Sequence, residues 1–323
     1  MKGKEILKGE RFIGCSKDHI VMGWWRWWTG SFELLTFGLF FGIVAYLISV
    51  KDFRKILEMM SGVLFGVVLE FVNVFVFGGY HYNEDFLVQI GAPPVNIPIV
   101  IGIGWGIILY AILEISDRFT MPGGYRILLA ALLGLSIDLS MDVIAIRLDE
   151  GFWVWHNIVV DNQVSFEGVL GVAWGNYYGW FSVLFIINML IRIERKKIAD
   201  DNHILLIGVM LLNPVIATLL LVGSYYLQIP IIQWTGNFAV GTLNTILLAL
   251  VILVIYMWRR RPAITRKRSW LSLLLFAYMH LYFLVGYFVA GIFREIPWFL
   301  LFFLVNFGLT VGILWRTWDF QSR

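Results

Sequence analysis

Charge is what this 323-residue sequence has least of: Asp, Glu, Lys and Arg together make up 15% of it, against 59% hydrophobic residues. Soluble domains carry about 25% charged residues, so an ordinary water-exposed surface is excluded. Cysteine is nearly missing too. Cys15 stands alone, which rules out an intramolecular disulfide and any C-x-x-C metal or redox motif. The first 20 residues hold no continuous apolar region, so no cleavable signal pattern is expected. No H-x-x-x-H spacing, Gly-rich phosphate loop or nucleophile elbow occurs in a supporting context. Internal repeats are also missing, which argues against a transporter built from paired halves.

Long apolar runs are plentiful. A helix needs about 20 apolar residues to cross a hydrocarbon core of roughly 30 Å. By that measure we read about nine spans, near 31–50, 56–78, 95–115, 126–147, 167–191, 204–228, 236–257, 270–293 and 298–316. Barrel strands alternate and run about ten residues, so these runs predict helices. The expected fold is all-α, a polytopic transmembrane helical bundle. The expected surrounding medium is membrane lipid, with the plasma membrane of a prokaryote as the expected location.

Basic residues sort the loops. Lys51, Arg54 and Lys55 follow the first span, Arg118 and Arg126 the third, Arg192, Arg195, Lys196 and Lys197 the fifth, and "RRRPAITRKR" the seventh. The connections after the second and sixth spans contain no Lys or Arg. The basic loops are therefore assigned to the cytoplasm. They read as topology and headgroup contact rather than nucleic-acid binding. The same alternation places the first 30 residues outside, although they hold six basic residues and the belt-like "MGWWRWWTG". Three regions follow: 1–30 a basic, Trp-rich interfacial segment, 31–192 a catalytic-like bundle, and 193–323 additional helices acting as scaffold. Gly62 with Gly66, Gly102 with Gly106, and Gly171, Gly175 and Gly179 recur at four-residue spacing, which lets helix backbones approach closely.

Polar residues inside the spans are few and concentrated in the first five. At 1.5 Å per residue from the cytoplasmic ends, Glu70 lies at roughly 21 Å, Asp138 at roughly 18 Å and Asp142 at roughly 24 Å. Asn176, counted down from the outer end of its span, lies at roughly 13 Å and joins that layer. Glu33, Glu58 and Glu114 fall near span ends instead. An Asp at a helix centre costs about 2.5–3.5 kcal/mol on insertion scales, so an intramembrane carboxyl is a functional candidate by default. Asp138 and Asp142 stand at i and i+4 and share one face. Two carboxylates in a low-dielectric site repel, so one of them should hold a proton at neutral pH, giving a general acid and a general base in one pocket. The competing reading makes Asp142 a partner of Arg147 at the outer rim.

His81, in "GGYHYNED", is a candidate hydrogen-bonding or proton-relay group near the outer end of span two. His156 joins it in the next outer loop, and neither shows paired metal-ligand spacing. Tyr80, Tyr82, Trp105, Trp153, Trp155 and Tyr177 cluster at or below the outer interface. Trp and Tyr favour that depth as belt residues, and their rings can also line a slot for a long apolar substrate and stabilise a developing cation.

The segments "FVFGGYHYNEDFLVQIGAPPVNIPIVIGIGW", "LSIDLSMDVIAIRLDEGFWVW" and "FEGVLGVAWGNYYGWF" resemble, in order and spacing, the membrane-bound carotenoid biosynthesis proteins. That family includes carotenoid hydratases, bisanhydrobacterioruberin hydratase among them. The matching positions are Gly79, Tyr80 and Tyr82, then Pro98 and Trp105, then Asp138, Asp142, Gly151, Trp153 and Trp155, then Gly171, Asn176, Gly179 and Trp180. The match covers roughly residues 60–190. The family's Pro after the second Asp is Val143 here. The resemblance implies a lyase-class reaction, hydration of a terminal double bond on a long apolar isoprenoid. Asp138, Asp142 and Glu70 would supply its catalytic groups, with His81 added as a catalytic candidate from its own position, and no cofactor or metal would be needed. Tyr80, Tyr82, Trp105, Trp153, Trp155, Asn176 and Tyr177 would bind substrate. Two other readings stay open: a noncatalytic pigment- or lipid-binding subunit, and a proton-coupled transporter, which needs a polar path through both leaflets.

Overall fold

The computed structural model describes residues 27–156, 158–264 and 270–318. The basic start, apart from Trp27 to Gly30, lies outside these residues, as do Cys15 and His19. Among the described residues nine helices are present: α1 Trp27–Ser49, α2 Phe53–Phe71, α3 Ile99–Ser116, α4 Gly123–Ala145, α5 Trp174–Lys197, α6 His203–Thr235, α7 Phe238–Arg260, α8 Trp270–Val289 and α9 Phe299–Trp318. Seven of them are long and apolar enough to cross a membrane, and the all-α bundle expected from the apolar runs is observed. α3 and α4 are the most buried and form the centre, while α6 and α7 show most of their surface outward. That outward surface is apolar, with Leu219, Leu227 and Leu248 exposed, as a lipid-facing helix requires.

The outer end of the bundle is where the helices depart from the apolar runs. α2 passes into a π turn, Val72–Phe77, ended by left-handed Gly78. Three short antiparallel ribbons cap that end. β1 Tyr80–Tyr82 pairs with β4 Trp153–Trp155, and β2 Gln89–Ala92 pairs with β3 Val95–Pro98. The third ribbon joins β5 Gly168–Val169 to β6 Val172–Ala173. The third span therefore begins as a helix at Ile99 and not at 95. Pro98, with no amide hydrogen to give, is its N-cap residue. The fifth begins at Trp174 and not at 167. Leu170 and Gly171 both have positive φ, the two-residue turn that closes a tight hairpin. Gly171 accordingly lies off the helix, and the expected three-glycine stripe on α5 is reduced to Gly175 and Gly179.

The α2–α3 stripe is real packing. A Cβ on Gly106 would stand 2.8 Å from the Met59 carbonyl oxygen, and one on Gly102 would stand 3.0 Å from that of Val63. Both helices also meet at their inner ends through charge. Asp117, at the C-cap of α3, accepts from Arg192 Nη1 at 2.6 Å and from Arg195, and Arg195 Nε reaches Glu58 at 2.7 Å. Glu114 pairs with Lys55 at 3.1 Å. Glu33 accepts the amides of Leu87 and Val88. The three carboxylates expected near span ends therefore have local structural partners.

The first helix enters from the outer end. Asp149 Oδ2 accepts the amides of Trp28 and Thr29, each at 2.9 Å, and so caps α1 from the loop after α4, satisfying amides that a helix start leaves free. The start of α1 therefore stands at the end of the bundle opposite the basic loop at 51–55.

Two outcomes follow from this packing. Gly106→Val should lower the thermal midpoint of the detergent-purified protein, with overpacking of about 1–3 kcal/mol; an unchanged midpoint would mean that α2 and α3 do not touch there. Asp117→Asn should cost about 3–5 kcal/mol by stranding buried guanidinium groups. Burial pushes the Asp117 carboxyl up, but Arg195 and Arg192 outweigh it and hold the group below the usual carboxylate range. Its stabilisation is thus full above the unfolded pKa of about 3.9 and lost as pH falls through the folded value. The gap between wild type and Asp117→Asn, read by thermal melts, should therefore narrow on acidification.

Candidate intramembrane site

A cavity of about 570 Å³ runs through the outer half of the bundle between α2, α3, α5 and α6, with the β1–β4 ribbon over it. Its wall is mostly apolar and aromatic, and its polar groups fall into two clusters.

The first centres on Glu70, near the end of α2 and 3% exposed. Strand alternation turns Tyr80 and Tyr82 inward, and both hydroxyls donate to Glu70 Oε2, Tyr82 at 2.6 Å. Trp105 Nε1 donates to Oε1 at 3.3 Å. Asn73 Nδ2, on the π turn, donates to the Tyr80 oxygen at 3.4 Å. Three donors on one carboxyl match the acceptor-only character of an ionised carboxylate.

The second cluster is the Asp pair. Asn176, in the first turn of α5, donates from one Nδ2 to Asp138 Oδ1 at 3.0 Å and to Asp142 Oδ2 at 2.7 Å. The two carboxyls lie within hydrogen-bonding reach of each other. Among the described residues nothing donates to the remaining oxygens, Asp138 Oδ2 and Asp142 Oδ1, and both are buried. Asp142 reaches the cavity, and Asp138 stands behind it without lining the wall. Glu70 and Asp142 both line the cavity, so the two clusters address one space. Arg147 is not part of it. It donates instead to the carbonyls of Val143, Leu170 and Asp161, tying the loop between β4 and α5 to α4 and leaving Asp142 to Asn176.

Rings fill the rest. Trp105 and Trp180 stand with centroids 4.2 Å apart. Trp155 packs edge-on to Tyr80 at 4.8 Å, and Trp153 approaches Tyr82 at 6.3 Å; all of these line the cavity. Tyr177 is buried beside the Asp pair without lining the wall.

His81 is the expected site residue that geometry takes elsewhere. Lying between two inward tyrosines on β1, it must point to the opposite face of the strand. There its Nδ1 meets His156 Nε2 at 2.9 Å, and His156 Nδ1 donates to the Gly78 carbonyl at 2.7 Å. His280 is buried against Phe303 and Phe307, and His203 packs edge-on to Phe53.

The α6 wall was missed in the sequence. Thr218, Leu221, Tyr225 and Ile229 line the cavity, with Phe238 of α7, inside the region read as scaffold. Tyr225 donates to the Gly175 carbonyl at 2.9 Å. The available signal was Tyr225 and Tyr226 in an otherwise aliphatic run.

The architecture and cavity define a multi-pass membrane protein with a carboxyl-bearing apolar site inside the bundle. The family model described as carotenoid biosynthesis protein matches residues 32–232, and the chain belongs to that family. The matched stretch ends within α6 and so includes much of its cavity wall. No curated protein and no solved structure matches the chain.

If Asn176 is held for its hydrogen bonds, Asn176→Leu should destabilise by about 1–3 kcal/mol for each donor-starved group it leaves. Adding Asp138→Asn, which brings a new amide beside Asp142, should recover part of that loss. Additive losses in a double-mutant cycle of thermal melts would show that the amide is not the shared donor.

Proposed function

We propose that this member of the carotenoid biosynthesis family adds water to a terminal double bond of an acyclic isoprenoid. The observation that carries the reading is the contrast between the two carboxyl clusters facing one apolar cavity. Glu70 receives three donors, while four oxygens of Asp138 and Asp142 share one amide. Such a pair in a dry site cannot carry two charges and holds a proton between its members. The pair is thus the acid, and Glu70 is the standing anion.

The proton on Asp142 passes to the less substituted alkene carbon, the π electrons form that C–H bond, and a tertiary cation remains on the neighbouring carbon. The faces of Trp105 and Trp180 and the charge on Glu70 stabilise it. A water oxygen bonds to the cation and loses a proton toward Glu70, through the hydroxyl of Tyr80 or Tyr82. Return of that proton to the Asp pair closes the cycle, with one water consumed and a tertiary alcohol formed. Tyr80, Tyr82, Trp153 and Trp155 shape the slot, and Asn176 holds the pair in register. His81 is outside these steps.

The test is expression in cells that make an acyclic carotenoid, followed by mass analysis of the pigments. Wild type should add one water. Asp138→Asn and Asp142→Asn should lose the addition, since a positioned acid contributes about 10²–10⁴-fold, and Glu70→Gln should reduce it. An unchanged pigment profile across a panel of isoprenoid ends would remove the proposal. Pigment that co-purifies unaltered, equally with wild type and Asp138→Asn, would instead make the protein a binding subunit.

A further inference from the structure

We propose that the cavity is loaded sideways from the bilayer, through a mouth between the π turn and the outer half of α6, so that only one end of the substrate enters. The inference rests on reading the cavity as an isoprenoid site.

The lining residues range from fully buried to open. At one extreme are Phe32, Ile108 and Met279, between 2% and 4% exposed, together with Glu70 and Asp142. These form a blind inner end that holds the reactive groups. At the other extreme are Phe77 at 63%, Tyr226 at 66% and Ile229 at 40%. A residue that lines a cavity while 40% or more of its surface is open marks the opening, and these three sit on two elements only.

Both elements face lipid. Around Phe77 the π turn shows Phe75 and Val76, and around Tyr226 and Ile229 helix α6 shows Leu227 and Trp234. α6 packs along α2, and the two flank the cavity where α2 widens into the π turn. Such π segments recur at functional sites because they shift side chains out of helical register. The turn is anchored at Gly78, whose carbonyl His156 holds.

Size completes the case. A volume of about 570 Å³ suits a ligand of drug-like bulk. A molecule long enough to match a hydrocarbon layer of roughly 30 Å cannot fit whole. Its far part remains among lipid tails, which suit it as well as the cavity does. The mouth thereby makes the enzyme a reader of chain ends, reaching a terminal double bond and no internal one.

The test uses the full chain in liposomes with Cys15→Ser, carrying Phe77→Cys or Tyr226→Cys, and Asn162→Cys on the outer loop as a water-facing control. Binding of an acyclic polyene is read by its induced circular dichroism, independently of turnover. A membrane-soluble maleimide should label positions 77 and 226, a charged impermeant one should label only position 162, and polyene should protect 77 and 226. A bulky adduct at either should abolish the induced signal. Labelling of 77 and 226 by the charged reagent at the rate seen for 162, or an induced signal that survives both adducts, would overturn lateral loading. Protection and loss of signal without any water added to bound polyene would uphold the mouth while removing hydration. No induced signal with unlabelled protein would remove both.

Discussion

One amide nitrogen governs the site. Asn176 reaches across from α5 to two carboxyls one turn apart on α4, and without it neither would receive a hydrogen bond from another side chain among the described residues beyond what the two exchange. The penalty for an unpaired buried polar group is what aligns α4 and α5 in register here. The same nitrogen is too little for four oxygens, and the proposed proton-carrying role of the pair rests on that shortage. Structure and chemistry come from one incomplete satisfaction.

Around it the fold separates two kinds of polar residue. At the inner end, Asp117, Glu58 and Glu114 meet arginine and lysine side chains from other helices, where charges compensate and hold helix ends together. Around the cavity Glu70, Asp138 and Asp142 meet hydroxyl, indole and amide groups, and no guanidinium joins these three among the described residues; Arg147 pairs instead with Glu295 at 3.7 Å. Its other donors go to backbone carbonyls. Salt bridges tie the inner end of the bundle, and uncharged donors serve the carboxyls of the cavity.

The ribbons at the outer end show how loops with little regular structure position a membrane site. β1 and β4 are three residues each, yet strand alternation sends Tyr80 and Tyr82 to Glu70 and His81 away from it. Left-handed Gly151 lets the chain turn into β4, where a Cβ would stand 3.1 Å from the Ile146 carbonyl oxygen. A helix in place of this ribbon would have spread the same residues around three faces.

Apolar length and the distribution of lysine and arginine determined the all-α bundle, its helix count and the orientation of α1, because hydrocarbon tolerates only helices of a minimum length and charge sorts the loops between sides. Helical rise and i, i+4 spacing likewise placed Glu70, Asp138 and Asp142 in one layer, since depth along a straight helix is a matter of counting, whereas the count that put Asn176 there ran through a hairpin, 168–173, and not a helix. Neither rule extends past a helix end, so the hairpins at 89–98 and 168–173 went unseen and Gly171 was read into a helical stripe. Strand alternation around His81 depends on pairing with β4, and the aromatic wall on α6 depends on which helix stands beside α2. Those are contacts between segments far apart in the chain, and only the tertiary structure decided them.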